Sequence, residues 1–137
     1  MRIIYAGLLA GLGMAVAMGV GEQLRLVRVN LPYIDGAFFF KDRFGKPTTY
    51  ALGLFIHLAT SVCFSVGYAL FRQYIALSWP WSIAGLTWAA ILWLAFGLTV
   101  SPVIGYGWFG SKAGKLTWFE LLLTHTVFGL TVSAVIR

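Results

Sequence analysis

PVIGYGWFGSKAGKLTWFELLLTHTVFG, residues 102–129, leaves one apolar run at Pro102 and turns through Gly105, Gly107, Gly110 and Gly114 in a basic loop. It then enters a second apolar run that carries His125. A weaker copy, FGKPTTYALGLFIH (residues 44–57), ends at His57. Both passages join a polar, glycine-bearing turn to a long hydrophobic stretch, and the rest of the chain repeats that alternation. Ile3–Gly21 and Pro47–Phe71 contain no charge, Gln73–Ser111 contains none, and Leu116–Ile136 contains only Glu120. A helix needs about 20 mostly apolar residues to cross the hydrocarbon of a bilayer. There the backbone must satisfy its own hydrogen bonds, so each run is expected to be helical.

The reading is one all-α domain over residues 1–137, an integral membrane four-helix bundle with spans at about 3–21, 49–71, 82–102 and 117–136. Sixty per cent of the 137 residues are hydrophobic and ten per cent charged, against about a quarter charged in soluble domains. The first run has a small-x-small triplet, Ala15-Val16-Ala17, of the kind that ends signal peptides; it is read instead as a retained helix. Ten Lys and Arg against four acids give a net charge of +6. In a membrane protein this excess serves orientation and contact with anionic lipid, and no nucleic-acid partner is inferred. Loops 22–48 and 103–116 hold seven basic residues and the opposite side three (Arg2, Arg72, Arg137). The positive-inside rule therefore puts both loops in the cytoplasm and both termini outside, in a multi-pass protein of the bacterial inner membrane. The single Cys63 says nothing of redox compartment.

Small residues mark the packing faces. Gly7, Gly11, Ala15 and Gly19 recur every four residues, with Gly13, Ala17 and Gly21 beside them, a spacing that lets helix backbones approach. Asn30-Leu31-Pro32 is expected to break the chain, with Asp35 capping an interfacial helix over Gly36–Phe44 that Gly45 ends. Pro102 is expected to kink or stop the third span. Thr117 and Glu120 have the spacing of a capping box, Thr117 at the cap and Glu120 reaching back to it.

Gly45–His57 and Gly114–His125 share Gly-Lys, a threonine followed by an aromatic residue, and a histidine eight positions after that threonine. This reads as two duplicated helical hairpins. Each histidine then lies about 12 Å from its threonine along parallel helices, so the two imidazoles share one depth. Ionisable groups at that depth face the bundle interior and have a partner. Three roles are compatible: hydrogen bonds between helices, paired ligation of a b-type haem by His57 and His125, or, ranked last, a proton or ion path that adds Glu120. Two histidines are too few ligands for a zinc site.

The order of marks resembles a known family. A glycine-rich first span is followed by Leu31-Pro32-x-x-Asp35, a span with His57, a span ending in Pro102-x-x-Gly105-x-Gly107-x-Phe109-Gly110, and a span with His125-x-x-x-Gly129. This is similar to a bacterial family of small four-span membrane proteins catalogued as a domain of unknown function. The likeness covers nearly the whole chain, except that Ser61 stands four residues after His57 where a glycine is expected. It implies the architecture and the marked residues without naming a reaction. No nucleophile–base pair or metal cluster is legible, so no enzyme activity is expected. The function expected first is an accessory or assembly subunit packed among other membrane subunits of a respiratory or photosynthetic complex. The alternative is a haem-bearing electron-transfer protein.

Overall fold

A computed structural model of the chain describes residues 1–24, 29–41 and 43–137. The described residues form helices joined by turns and loops, with no strand among them. Helix α1 spans Arg2–Gln23, the short α2 Leu31–Phe40 and α3 Lys46–Tyr74. Helix α4 spans Trp81–Val103 and α5 Thr117–Val135. Helices α1, α3, α4 and α5 are each long and apolar enough to cross a membrane, which makes the protein an all-α four-helix membrane bundle. Large apolar side chains such as Leu8, Val16, Phe55, Leu70, Leu86 and Leu123 lie exposed on the outside, as they do where lipid is the solvent.

Small residues set which helices touch. A methyl group at Gly7 would lie 2.7 Å from the Val62 Cα, and one at Gly11 would overlap the Ser61 side chain, so α1 and α3 meet almost backbone to backbone. Ser65 fixes this seam by donating from its hydroxyl to the Ile3 carbonyl at 2.7 Å. Gly85 lies against Ser133 and the Gly129 carbonyl, and Gly129 against Ala89, which seats α4 on α5 in the same way. Gly36 and Gly53 do so for α2 and α3. The contacts run in one series: α2 on α3, α3 on α1, α1 on α5, α5 on α4. Helices α3 and α4 are joined by a tight turn but meet chiefly beside it, where Trp88 packs on Tyr68 and Phe71. Beyond that aromatic cluster a cleft separates them.

Local chemistry departs from expectation at two helix starts. Helix α2 begins five residues before the expected Gly36, at Leu31. Asn30 caps it by accepting from the Tyr33 amide at 3.2 Å, and Pro32 sits in the first turn, where a missing amide does no harm. Asp35 is therefore inside the helix, not its cap, and the helix stops at Phe40 with Lys41 left-handed, short of Gly45. At α5 the cap position is Leu116, with no side-chain cap. Thr117 is already helical and its buried hydroxyl has no partner, so the expected capping role of Thr117 is not formed. Glu120 lies buried in that first turn. Glu22, at the end of α1, accepts from the Asn30 amide group at 2.7 Å.

Helix α4 changes pitch before it ends. Phe96–Val100 forms a π-helical turn, followed by a last α turn through Pro102 to Val103. The chain then folds back. The Ser101 hydroxyl donates to the Gly107 carbonyl at 2.6 Å and accepts from the Gly110 amide at 2.9 Å. Gly105, Gly107 and Gly110 all have positive φ, and so does Phe109 at 51°. Phe109 is thereby turned under α4, against Gly97 of the π turn and with its ring 4.7 Å from that of Trp93.

Candidate functional site

One face of α3 carries Thr49, Gly53, His57, Ser61 and Ser65, spaced four apart, and all five are buried. Four-residue spacing keeps side chains on one side of a helix, so this stripe of small and polar groups points into the bundle. Helix α5 presents Thr117, Leu121, Thr124, His125 and Phe128 to the same interior. His57 and His125 are each 6% exposed.

The two imidazoles line a single cavity of about 120 Å³. Its floor is Met14 of α1 with His125 and Phe128 of α5. Its sides are Thr60, Ser61 and Phe64 of α3 and Leu92, Phe96 and Val100 of α4. Leu31 and Asp35 of α2 close one end. The cavity lies in the cleft between α3 and α4, and Thr60, Phe64 and Val100 on its rim are exposed on the outer face of the bundle. The π turn contributes directly: it brings the Phe96 ring to 5.7 Å from the His125 ring. π turns inside α-helices are often found at functional sites.

Each imidazole is held by its Nδ1. That of His125 donates to the Leu121 carbonyl, one turn back, at 2.6 Å. That of His57 stands 3.5 Å from Oδ2 of Asp35, whose side chain is 27% exposed. A carbonyl can only accept, so Nδ1 of His125 carries hydrogen, and a ring protonated at Nδ1 alone keeps a lone pair on Nε2; His57 turns its Nδ1 toward an oxygen in the same way, at ion-pair distance. Nε2 of His57 is buried without a partner. A buried polar atom left unpaired costs about 1–3 kcal/mol, which makes it the most conspicuous unmet valence in the site.

The marked residues divide clearly. His57, His125 and Asp35 come together. Glu120 does not line the cavity, nor do Pro102, Gly105, Gly107 and Gly110, which build the fold-back loop. Gly7, Gly11 and Gly129 are seams between helices, while a methyl group on Gly13 would meet only Val127, at 3.9 Å. Thr49 and Thr117, the repeat's matching threonines, are both fully buried, and each lies against a glycine of the preceding segment, Gly36 and Gly110. The cavity also uses residues the motif reading did not single out: Met14, Thr60, Phe64 and Phe96. Thr60 and Phe64 were within reach of it, being three and seven positions after His57 on one helical stripe. Among the described residues no three of His, Cys, Asp and Glu form a metal-ligand group. Comparison with family models, curated proteins and solved structures gives no match.

Proposed function

We propose that this small multi-pass membrane protein serves to hold a ligand at the histidine pair, in the cleft between α3 and α4. The observation that carries the reading is the pair itself: two buried imidazoles from different helices lining one cavity, each oriented through Nδ1, with Nε2 of His57 unpaired. Nothing in the arrangement calls for bond-making chemistry, so the role is binding rather than catalysis. The bacterial inner membrane, with the loops at 22–48 and 103–116 in the cytoplasm, fits the charge count. The resemblance to the four-span family of unknown function fits the same marked residues.

The haem alternative divides into donors and space. Two neutral imidazoles with Nδ1 held by oxygen suit iron. The space does not suit a macrocycle. A cavity of about 150 Å³ accepts a single benzene ring, and this one is about 120 Å³. On the glycine face of α1, the approaches at Gly7 and Gly11 are filled by Ser61, Val62 and Ser65. The accessory-subunit reading drew on small-residue faces, and Gly7, Gly11, Gly85 and Gly129 are used by seams within the chain.

The test is chemical. The full chain is extracted with its surrounding lipid and its bound small molecules are identified by mass spectrometry, beside His57→Ala and His125→Ala. The expected result is a small molecule kept by the wild type and lost from both variants. If the wild type keeps nothing that either variant loses, the reading fails. A haem band in a reduced-minus-oxidised spectrum reinstates the alternative, and migration only within a larger complex on blue-native electrophoresis reinstates the subunit.

A further inference from the structure

We propose that the ligand is the headgroup of a lipid-soluble quinol, a single aromatic ring with two hydroxyls and an apolar tail; this rests on the ligand site proposed above. Four observations converge on that class. The first is hydrogen-bond polarity. His125 donates from Nδ1 to Leu121 and His57 turns Nδ1 toward Asp35, so each ring, protonated at Nδ1 alone, offers an acceptor at Nε2. A ligand complementary to those two atoms supplies donors, as hydroxyls do and ketones, ethers and acyl esters do not, while the Thr60 and Ser61 hydroxyls on the same lining can accept or donate.

The second is the rest of the wall. Apart from Asp35, Thr60 and Ser61 it is apolar or aromatic, with Met14, Phe64, Leu92, Phe96 and Phe128 among it, which suits a flat ring that bears few polar groups. The third is size: about 120 Å³, with a mouth on the outer face, is of the order that takes one six-membered ring. The fourth is the route. Thr60, Phe64 and Val100 form a rim exposed where acyl chains lie, so a ring enters sideways from the bilayer and its tail stays outside. Asp35, in the short helix that precedes α3, lines the cavity beside His57, 3.5 Å from its Nδ1.

The experiment uses the full chain in nanodiscs of phosphatidylethanolamine and phosphatidylglycerol, under argon, titrated by calorimetry with decyl-1,4-benzoquinol. Decyl-1,4-benzoquinone is the same size but carries only acceptors, and decylbenzene carries neither. The quinol is expected to bind at least ten-fold more tightly than either. His57→Gln and His125→Gln are each expected to weaken it at least ten-fold. Because a buried variant can lose its fold, Thr60→Trp is included: it leaves both imidazoles in place and fills the mouth, and is expected to block entry with an unchanged circular dichroism spectrum. Equal binding of quinol and quinone, no binding of the quinol, or full binding by Thr60→Trp overturns the proposal. If wild type retains some other molecule that both histidine variants lose, the histidine site stands and the quinol assignment alone falls.

Discussion

His57 is costly to place where it is, and Asp35 is what makes the placement tolerable. An imidazole at membrane depth needs a partner, and the carboxylate supplies one at 3.5 Å from the interfacial helix α2. Because Asp35 is partly exposed, the pair belongs near the lower end of buried charge contacts. Asp35→Ala is expected to destabilise by about 1 kcal/mol. In a double-mutant cycle with His57→Ala, reversible unfolding in mixed micelles should show a coupling of about 0.5–1 kcal/mol; strictly additive losses mean the two groups do not interact. Ser65 gives a scale for comparison. Its bond to the Ile3 carbonyl joins α1 to α3, and Ser65→Ala should lose only about 0.6 kcal/mol, the average for polar contacts between membrane helices. The two histidines were legible as the only such residues, in matched positions. Asp35 was legible as a polar residue in an apolar neighbourhood, but its role was not. A cap is a local property, whereas its contact with His57 exists only once α2 folds back on α3.

At the scale of elements, the small residues divide into those that face a helix and those that face lipid, and a spacing of four does not say which. Gly11 meets Ser61 and Leu58, whereas Gly19 has nothing near it. Gly11→Val should therefore destabilise by about 1–3 kcal/mol through overpacking, while Gly19→Val should stay within about 0.5 kcal/mol of wild type. Equal effects, read from the same unfolding measurement, contradict the α1–α3 seam. The spans were readable to within a few residues because bilayer thickness fixes how long an apolar run must be. The π turn was not readable. FGLTV has no mark of its own, and the change of pitch coincides with Phe109 lying against Gly97 from a loop a dozen residues on. Gly110 shows the local side of that loop: at φ +74° and in contact with Thr117, it cannot take a side chain cheaply. Gly110→Ala is expected to lose about 1–3 kcal/mol.

For the whole molecule, the connections decide what can be reached and from where. Ser65 bonds to Ile3 and Arg137 stacks over Trp81 at 4.8 Å, so both chain ends gather at the same end of the bundle as the α3–α4 turn. The fold-back loop and α2 lie at the other end. In a Cys63→Ser background, cysteines at Arg72 and Arg137 should react with an impermeant maleimide in intact spheroplasts. Those at Arg43 and Lys115 should react only after lysis; the reverse pattern inverts the orientation. The series of helix contacts, which leaves α3 and α4 parted by a cleft beyond their shared aromatic cluster, was not legible, since both runs are similarly apolar and neither says which helix it will lie against.

That cleft between α3 and α4 changes what concentration means for this protein. A solute entering through a slot that faces acyl chains arrives by diffusion in two dimensions, and its chemical potential is set by its mole fraction among the lipids. Adding empty vesicles at constant total solute should therefore strip the protein, with occupancy in the weak-binding limit falling by about half for each doubling of lipid. The surrounding aqueous volume should leave that occupancy untouched.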